Sequence, residues 1–409
     1  MLVSFTFENF KSYRDQATIS MEAAGITEHS NTLINGLGER RLVPVAVLYG
    51  PNAGGKSSAL QALDCLCSSV TWPWFLMRMR GGKTTPIQCK PFAYDEDSAD
   101  SPTTFRIVFE MVGYTYRYIM SVKHGEVIEE YLHRRKPGKG SVATLFERNN
   151  GQVELGSSLR RKGVSVKVDS MMPLLSFLAI NYDIDSVDAA FRWFLQSYFL
   201  DYSKPRSENR LYPLEDGDVT NRVVGALNGM DLDITGIRYK TDEDDFIEGV
   251  YLTHEVGGSI ELELEDESNG TKKLLSLLPP VVNALEKGTL VVSDELDAKL
   301  HPKLLRYLIR LFTNPETNPN GAQLIFTSHD MSTLNSSTFR RDEIWFAAKN
   351  DSGSSELYSL SDIVDAEGNR IRPQNAYDRQ YLAGQYGADP YLRNMLKWEV
   401  SDAEKTSEA

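Results

Sequence analysis

Residues Gly50-Pro51-Asn52-Ala53-Gly54-Gly55-Lys56-Ser57 satisfy every fixed position of the phosphate-cradling pattern G-x-x-x-x-G-K-[ST]. Glycines in such a loop let backbone N–H groups turn toward phosphate oxygens, and the start of the following helix adds partial positive charge. Lys56 is the residue that reaches the β- and γ-phosphates, and the Ser57 hydroxyl the one that ligates Mg²⁺. With Gly50, Asn52, Gly54, Gly55 and Ser58 they make up the expected nucleotide-binding set. A chance glycine-rich turn ahead of a helix is the alternative. The context argues against it: an apolar β-branched run at 43–48 precedes the loop, and Leu60, Leu63, Leu66 and Val70 follow at helical spacing.

A second constellation lies far along the chain. Leu290-Val291-Val292-Ser293-Asp294-Glu295 is a short apolar strand ending in two carboxylates, the Walker B arrangement. In it Asp294 holds Mg²⁺ through water and Glu295 polarises the attacking water. Taken alone, the run reads equally as a structural strand end. Residues 322–330 form another strand running into His329. A lone histidine is ordinarily structural, but one just beyond a strand beside Walker B is placed to contact a γ-phosphate. Lys56 and Asp294 are 238 positions apart, so a large insertion separates the halves of the site. Just before the acidic strand, Glu267-Ser268-Asn269-Gly270-Thr271-Lys272-Lys273 opens a Leu-rich helical stretch. By itself that is a capped helix start, with Ser268 or Asn269 as the cap and Gly270 open to close approach of a phosphate.

The elements that must position these residues follow from patterning. The first ninety residues alternate strands and helices. Residues 104–132 carry β-rich runs broken by Gly113 and by Lys123-His124-Gly125, which predicts an antiparallel meander. Residues 133–167 are basic: Arg134, Arg135, Lys136, Lys139, Arg148, Arg160, Arg161, Lys162 and Lys167 stand against Glu147 and Glu154. Residues 171–200 return to helical spacing, 202–218 read as a loop with Pro205 and Pro213, and the tail beyond Trp398 is polar. No internal repeat or sustained heptad is present.

Composition sets the bounds. With 41% hydrophobic and 25% charged residues the chain is an ordinary globular protein, and no apolar run reaches membrane-spanning length. The alternating start lacks a signal-peptide profile. Cys65, Cys67 and Cys89 form no zinc pattern and leave an odd thiol, so a reducing cytoplasm is expected. A net charge of −13 argues against a protein coated in nucleic acid while leaving room for a local basic patch.

The order of these parts resembles an ABC-type ATPase head of the RecF/SMC/OLD kind, and Phe7-Glu8-Asn9-Phe10-Lys11-Ser12-Tyr13 is similar to the first-strand motif of that group. More narrowly, the loop at 50, Pro91-Phe92, Glu267-Ser-x-Gly-Thr, Asp294-Glu-Leu-Asp-x-x-Leu-His-Pro302, Gln323-Leu-Ile-Phe-Thr-Ser-His329, Arg341-Asp-Glu-Ile-Trp345 and Tyr381-x-x-Gly-x-Tyr-Gly387 resemble the bacterial AAA15/AAA21-type ATPases of abortive-infection and phage-defence operons (the RloA, AbiL and AriA kind). The likeness spans 1–135 and 250–390.

The resemblance implies an α/β fold: an ABC-ATPase head, with a P-loop core sheet plus an antiparallel β subdomain and an inserted, mainly helical lid region. The implied organisation is an N-terminal lobe at 1–135, a basic loop and helical insertion at 136–250, a C-terminal lobe at 251–396 and a flexible tail at 397–409. It further implies ATP and Mg²⁺ as ligands, Glu295 and His329 as catalytic residues, Asp297 as the D-loop aspartate, and Ser268 with Gly270 as a signature that completes the site of a partner subunit. Gln88 stands as a Q-loop residue toward the metal, or as a surface glutamine. Two departures touch the dimer seam: the signature is Glu-Ser-Asn-Gly-Thr, and Lys299 follows the D-loop where a small residue is common. His301 with Asp294, Glu295 and Asp297 suggests either a metal cluster or a helix start, the family favouring the latter. The implied biology is a homodimeric or higher clamp controlling an effector, a nuclease from the same operon. A RecF/SMC-like DNA-maintenance ATPase binding DNA through 133–167 is the alternative. A nucleotide-binding scaffold is a third reading, and a transporter the least favoured.

Overall fold

The computed structural model describes residues 1–80, 84–138, 140–202, 217–230, 232–241, 247–255, 257–364, 368 and 370–388. The tail beyond Trp398, and all but the ends of the polar stretch at 202–218, lie outside the described residues.

The chain opens with β1 (Leu2–Glu8), whose Phe5 and Phe7 point into a core while Ser4, Thr6 and Glu8 do not. β2 (Ala17–Ser20) pairs with it, and a short ribbon of β3 (Ile34–Asn35) and β4 (Arg41–Leu42) leads to β5 (Val45–Tyr49) and the long helix α1 (Lys56–Arg80). After the short α2 (Glu96–Ala99) come β6 (Thr103–Met111), β7 (Tyr114–Lys123) and β8 (Glu126–Arg135), the expected meander. The sheet continues into β9 (Val142–Asn149) and β10 (Gln152–Leu155), giving the antiparallel order β10-β9-β8-β7-β6-β1-β2.

The antiparallel unit therefore runs past residue 135, where the sequence placed its boundary. The period-two signal fails in β9 because a register shift at Leu132/His133 leaves Leu145 and Phe146 buried side by side among charged residues. Arg148, counted in the basic stretch, is buried and donates to the carbonyls of Met172 and Asp169 at 2.8 and 3.2 Å. Arg134 lies over the Tyr114 ring, whereas Arg160, Arg161 and Lys162 are exposed at α3 (Ser157–Arg161).

Helices α4 (Leu174–Asn181) and α5 (Asp185–Leu195) belong to the core and are not a lid. Leu174, Leu175, Leu178, Phe191, Trp193 and Phe194 pack with α1 and the antiparallel sheet, and Trp193 stacks on Phe109 at 4.6 Å. Each such side chain contributes about 1.5–3 kcal/mol of burial before its ordering cost. The start of α4 has an unusual cap. Pro173 at the N-cap offers no side-chain acceptor, and Glu130 from β8 takes the N–H groups of Leu174 and Leu175 at 2.6 and 2.9 Å. Glu130 also accepts from the Tyr118 hydroxyl at 2.8 Å, with Arg148 at 3.9 Å. Burial raises its pKa against the pull of those donors and Arg148.

β11 (Tyr198–Asp201) then leaves the insertion and joins a second sheet. α6 (Gly217–Gly229) and a three-stranded sheet of β12 (Ile234–Thr241), β13 (Ile247–Glu255) and β14 (Ser259–Glu263) follow. The chain goes on through α7 (Asn269–Lys287), β15 (Leu290–Asp294), α8 (Pro302–Thr313), β16 (Gln323–Thr327), β17 (Ile344–Lys349), β18 (Ser355–Ser359) and α9 (Tyr377–Leu382).

The second sheet has the order β11-β15-β16-β5-β17-β18 and is parallel except at β18. β5, β15 and β16 are buried along their whole length, which is why they read as continuous apolar runs. Ala46 and Leu48 face the core shared with α1 and the antiparallel sheet, while Val45, Val47 and Tyr49 face α7 and α8. The expected α/β plan, a P-loop core sheet beside an antiparallel β subdomain, is the one found. Among the described residues no helix is long and apolar enough to cross a membrane.

Candidate nucleotide site

β5 delivers the chain to the 50–57 loop at the centre of the parallel sheet. Gly50 has φ +149° and packs on β17 so tightly that a Cβ would stand 2.1 Å from the Ala347 carbonyl oxygen. Gly55, at φ +114°, would bring one to 2.5 Å from the Ser355 hydroxyl. Both positions demand glycine on conformation and on space. The first-strand motif fastens the loop from the other side: the Tyr13 hydroxyl donates to Gly55 O at 3.3 Å, and Ser355 N–H donates to Ser12 O at 2.7 Å. Asn9 holds the Pro91-Phe92 segment, accepting from Phe92 N–H at 2.9 Å and donating to Ser98 O at 2.8 Å.

α1 begins at Lys56, so the unpaired N–H groups of its first turn face the loop, a ready anion cradle. Ser57 and Ser58 are half-buried on that turn, and Asn52 is exposed at the loop tip. Lys56 is buried, and its ammonium donates to Gly50 O at 2.8 Å and Pro51 O at 3.1 Å. Burial lowers its pKa, while Asp294, Asp297 and Glu295 pull the other way. The structure thus brings the loop and the acidic strand together across 238 positions of sequence.

Two strands away from β5, β15 ends in Asp294, which is buried. Thr327 at the end of β16 donates its hydroxyl to Asp294 Oδ1 at 2.6 Å and accepts the Glu295 N–H at 2.7 Å. Glu295 turns out of the strand with φ +53°, half-buried. Asp297 Oδ2 accepts the His329 N–H at 3.0 Å, tying the turn after β15 to the residues that follow β16. His329 is exposed, and its pKa is lowered by partial burial and then by Lys56, against Asp297, Glu295 and Asp294. A neutral imidazole is therefore favoured at neutral pH.

The donor set fits Mg²⁺. Asp294 Oδ2 is buried and has no hydrogen-bond partner, an orphaned carboxylate oxygen on the strand that ends beside the loop. Among the described residues no three His, Cys, Asp or Glu side chains gather as a metal site. That suits an ion held by a carboxylate, the Ser57 hydroxyl, waters and phosphate oxygens, and not by an all-protein cage. His301 is the N-cap of α8, accepting the Lys303 N–H at 3.2 Å, which decides for a helix start over a metal cluster. Gln88 is exposed and donates to Pro86 O at 3.2 Å; its own carbonyl faces Cys65 on α1. Cys65 lies nine residues beyond Lys56, about 13 Å along the helix axis.

Ser268 caps α7, accepting the Thr271 N–H at 3.1 Å, and Gly270 lies near the Lys299 carbonyl, 3.4 Å from where a Cβ would stand. Lys299 itself has φ +61°. Sequence reasoning did not single out Thr327, Lys273 or the loop's seat on Ala347 and Ser355. Thr327 was visible as a hydroxyl two residues before His329, but a polar strand end carries no pattern of its own.

The family pattern described as "AAA domain, putative AbiEii toxin, Type IV TA system" matches residues 45–335, from the first residue of β5 past His329. Similar solved structures include an SmcHead bound to the C-winged helix domain of ScpA, at 15% identity and TM-score 0.42, covering 88% of this chain and 97% of that one. Another is an Smc head domain with an extended coiled coil bound to the C-terminal domain of ScpA derived from Pyrococcus furiosus, at 13% identity and TM-score 0.38, covering 88% and 96%. No curated protein matches the chain significantly. With the family match extending over more than half of its length, the chain belongs to the AAA-domain family described as putative AbiEii toxin, type IV toxin–antitoxin system.

Proposed function

We propose that this protein binds and hydrolyses ATP as an ABC-type ATPase, and that it works as a nucleotide-gated homodimeric clamp in anti-phage defence. The observation that carries the reading is a pairing across the sheet: the buried Lys56 ammonium at the head of α1, held by the Gly50 and Pro51 carbonyls, and the buried, partnerless Asp294 Oδ2 at the end of β15. On this reading the α1 N–H groups and Lys56 take the phosphates, with Lys56 leaving its own loop carbonyls to do so. Asp294 and Ser57 hold Mg²⁺, which when bound neutralises charge on the phosphate oxygens. Glu295 accepts a proton from the attacking water, and neutral His329 donates a hydrogen bond toward the γ-phosphate. Ser268 and Gly270 act on the nucleotide of a second copy, so each site is completed across a dimer.

Substituting Glu295→Gln tests the core of this reading. The variant should bind ATP, turn over at least about a hundredfold more slowly and accumulate as a dimer by light scattering when ATP is added. Wild-type turnover in that variant would falsify the assignment of Glu295.

The family's description names a type IV toxin–antitoxin system; on our reading the clamp controls an effector, a nuclease encoded beside this protein. Co-expression with the neighbouring gene product should give a complex that survives nuclease treatment and changes with ATP. One observation favours the alternative, DNA binding: Arg160, Arg161 and Lys162 are exposed next to one another at α3. DNA affinity that falls with salt and with neutralisation of those three would decide for it.

A further inference from the structure

Lys273 is fully buried on the first turns of α7, and its ammonium donates to three backbone carbonyls of the turn that follows β15. These are Glu295 O at 2.9 Å, Leu296 O at 2.7 Å and Ala298 O at 2.6 Å. The ammonium also lies 4.2 Å from the centre of the Tyr202 ring. Tyr202 spans the same two elements, since its N–H donates to Asp294 O at 3.2 Å and its hydroxyl meets Ser276 Oγ at 3.1 Å.

The turn so held is strained. Glu295 and Lys299 both adopt left-handed φ, which a side-chain-bearing residue keeps only when its surroundings enforce it. Three convergent carbonyls present negative ends of dipoles to one cation, and their geometry fixes the orientation of three peptide planes at once. The first of those planes leads out of Glu295, the carboxylate read above as the base. Ser268 caps the same helix five positions earlier, so one side chain ties the signature turn to the catalytic turn within one subunit.

We infer that Lys273 is a positioning residue of the ATPase. It holds the 295–298 turn so that the Glu295 carboxylate meets the attacking water, and it passes displacement of the Ser268 cap to that carboxylate when a second copy engages. The inference rests on the ATPase reading above. It predicts that hydrolysis, and not nucleotide binding, depends on this ammonium.

The test compares wild type, Lys273→Met and Lys273→Arg as full-length chains. It measures binding of a fluorescent ATP analogue, steady-state kcat and KM, and amide hydrogen exchange over 294–300. Lys273→Met should lower kcat at least about tenfold with KM and analogue affinity within about threefold, and should raise exchange in 295–300 selectively. Lys273→Arg, which keeps charge and donors, should recover part of kcat. If Lys273→Met does not fold, Tyr202→Leu removes the ring against the ammonium and should reduce kcat several-fold at unchanged KM.

An unchanged kcat in the folded variants overturns the inference while leaving the ATPase reading intact. Loss of binding and turnover in equal proportion, with exchange rising across the whole of α7 and β15, shows a purely structural lysine and also overturns it. A wild-type protein that neither binds nor hydrolyses ATP sinks the ATPase reading, and the positioning role goes with it.

Discussion

Thr327 serves Asp294 and its neighbour at the same time, giving its hydroxyl proton to Asp294 Oδ1 and taking the N–H of Glu295. One hydroxyl on β16 thereby orients the carboxylate offered to Mg²⁺ and anchors the residue offered as base. Outer-shell partners of this kind usually matter 10–100-fold in metal affinity or activity. Thr327→Val keeps the shape of the side chain and removes both bonds. Its ATP turnover should fall about 10–100-fold, and the Mg²⁺ concentration for half-maximal activity should rise. Melting should show a loss of about 1–3 kcal/mol from the orphaned groups. A magnesium titration of wild type and variant reads the first two effects together.

His329 is held below its ordinary pKa by burial and by the positive charge of Lys56. Lys56→Met removes the second cause, so the His329 pKa should move up toward the ordinary value near 6.5. Nitrogen-detected NMR of the imidazoles, assigned through His329→Gln, reads this directly. The sign for stability follows. Because the folded pKa is depressed, the native state binds fewer protons than the unfolded chain just below the ordinary value, and His329 costs stability as pH falls through that range. Lys56→Met should weaken this acid sensitivity. A downward move of the pKa in the variant would contradict the placement of Lys56 beside the histidine.

Glu130 stands in for the side-chain cap that Pro173 lacks, and every group around it is buried or backbone. Glu130→Ala leaves two helix N–H groups and the Tyr118 hydroxyl short of an acceptor, and takes from the buried Arg148 guanidinium the carboxylate 3.9 Å away. Breaking such a buried set should destabilise the protein by about 3–5 kcal/mol, and Glu130→Gln by less because the amide oxygen still accepts. Chemical denaturation gives the totals. Hydrogen exchange over 174–181 should show α4 loosening first.

Legibility of the sequence tracked how local the physics was. The 50–57 loop, the acidic strand and the strand before His329 are short-range patterns, and each lies where its residue types require. The meander at 104–132 alternates cleanly and formed as expected. β9 was hidden because a register shift broke its alternation, leaving Leu145 and Phe146 buried side by side. The core role of α4 and α5 was hidden because an apolar helix face does not say which surface it will meet. Thr327, Lys273 and Ala347 escaped for a shared reason: each acts on residues tens to hundreds of positions away, through hydrogen bonds or a backbone carbonyl that no local pattern announces.

β5 lies between β16 and β17, strands that follow it by more than 270 positions. During synthesis the phosphate loop therefore emerges long before either neighbouring strand, and before the Ala347 carbonyl on which Gly50 packs. A nascent chain that has made α1 and the antiparallel sheet still has an open seam where the loop should be seated. Such high contact order slows the final closure, since loop entropy must be overcome before the parallel pairings form. A chain broken off before residue 347 carries the whole loop motif without a floor beneath it.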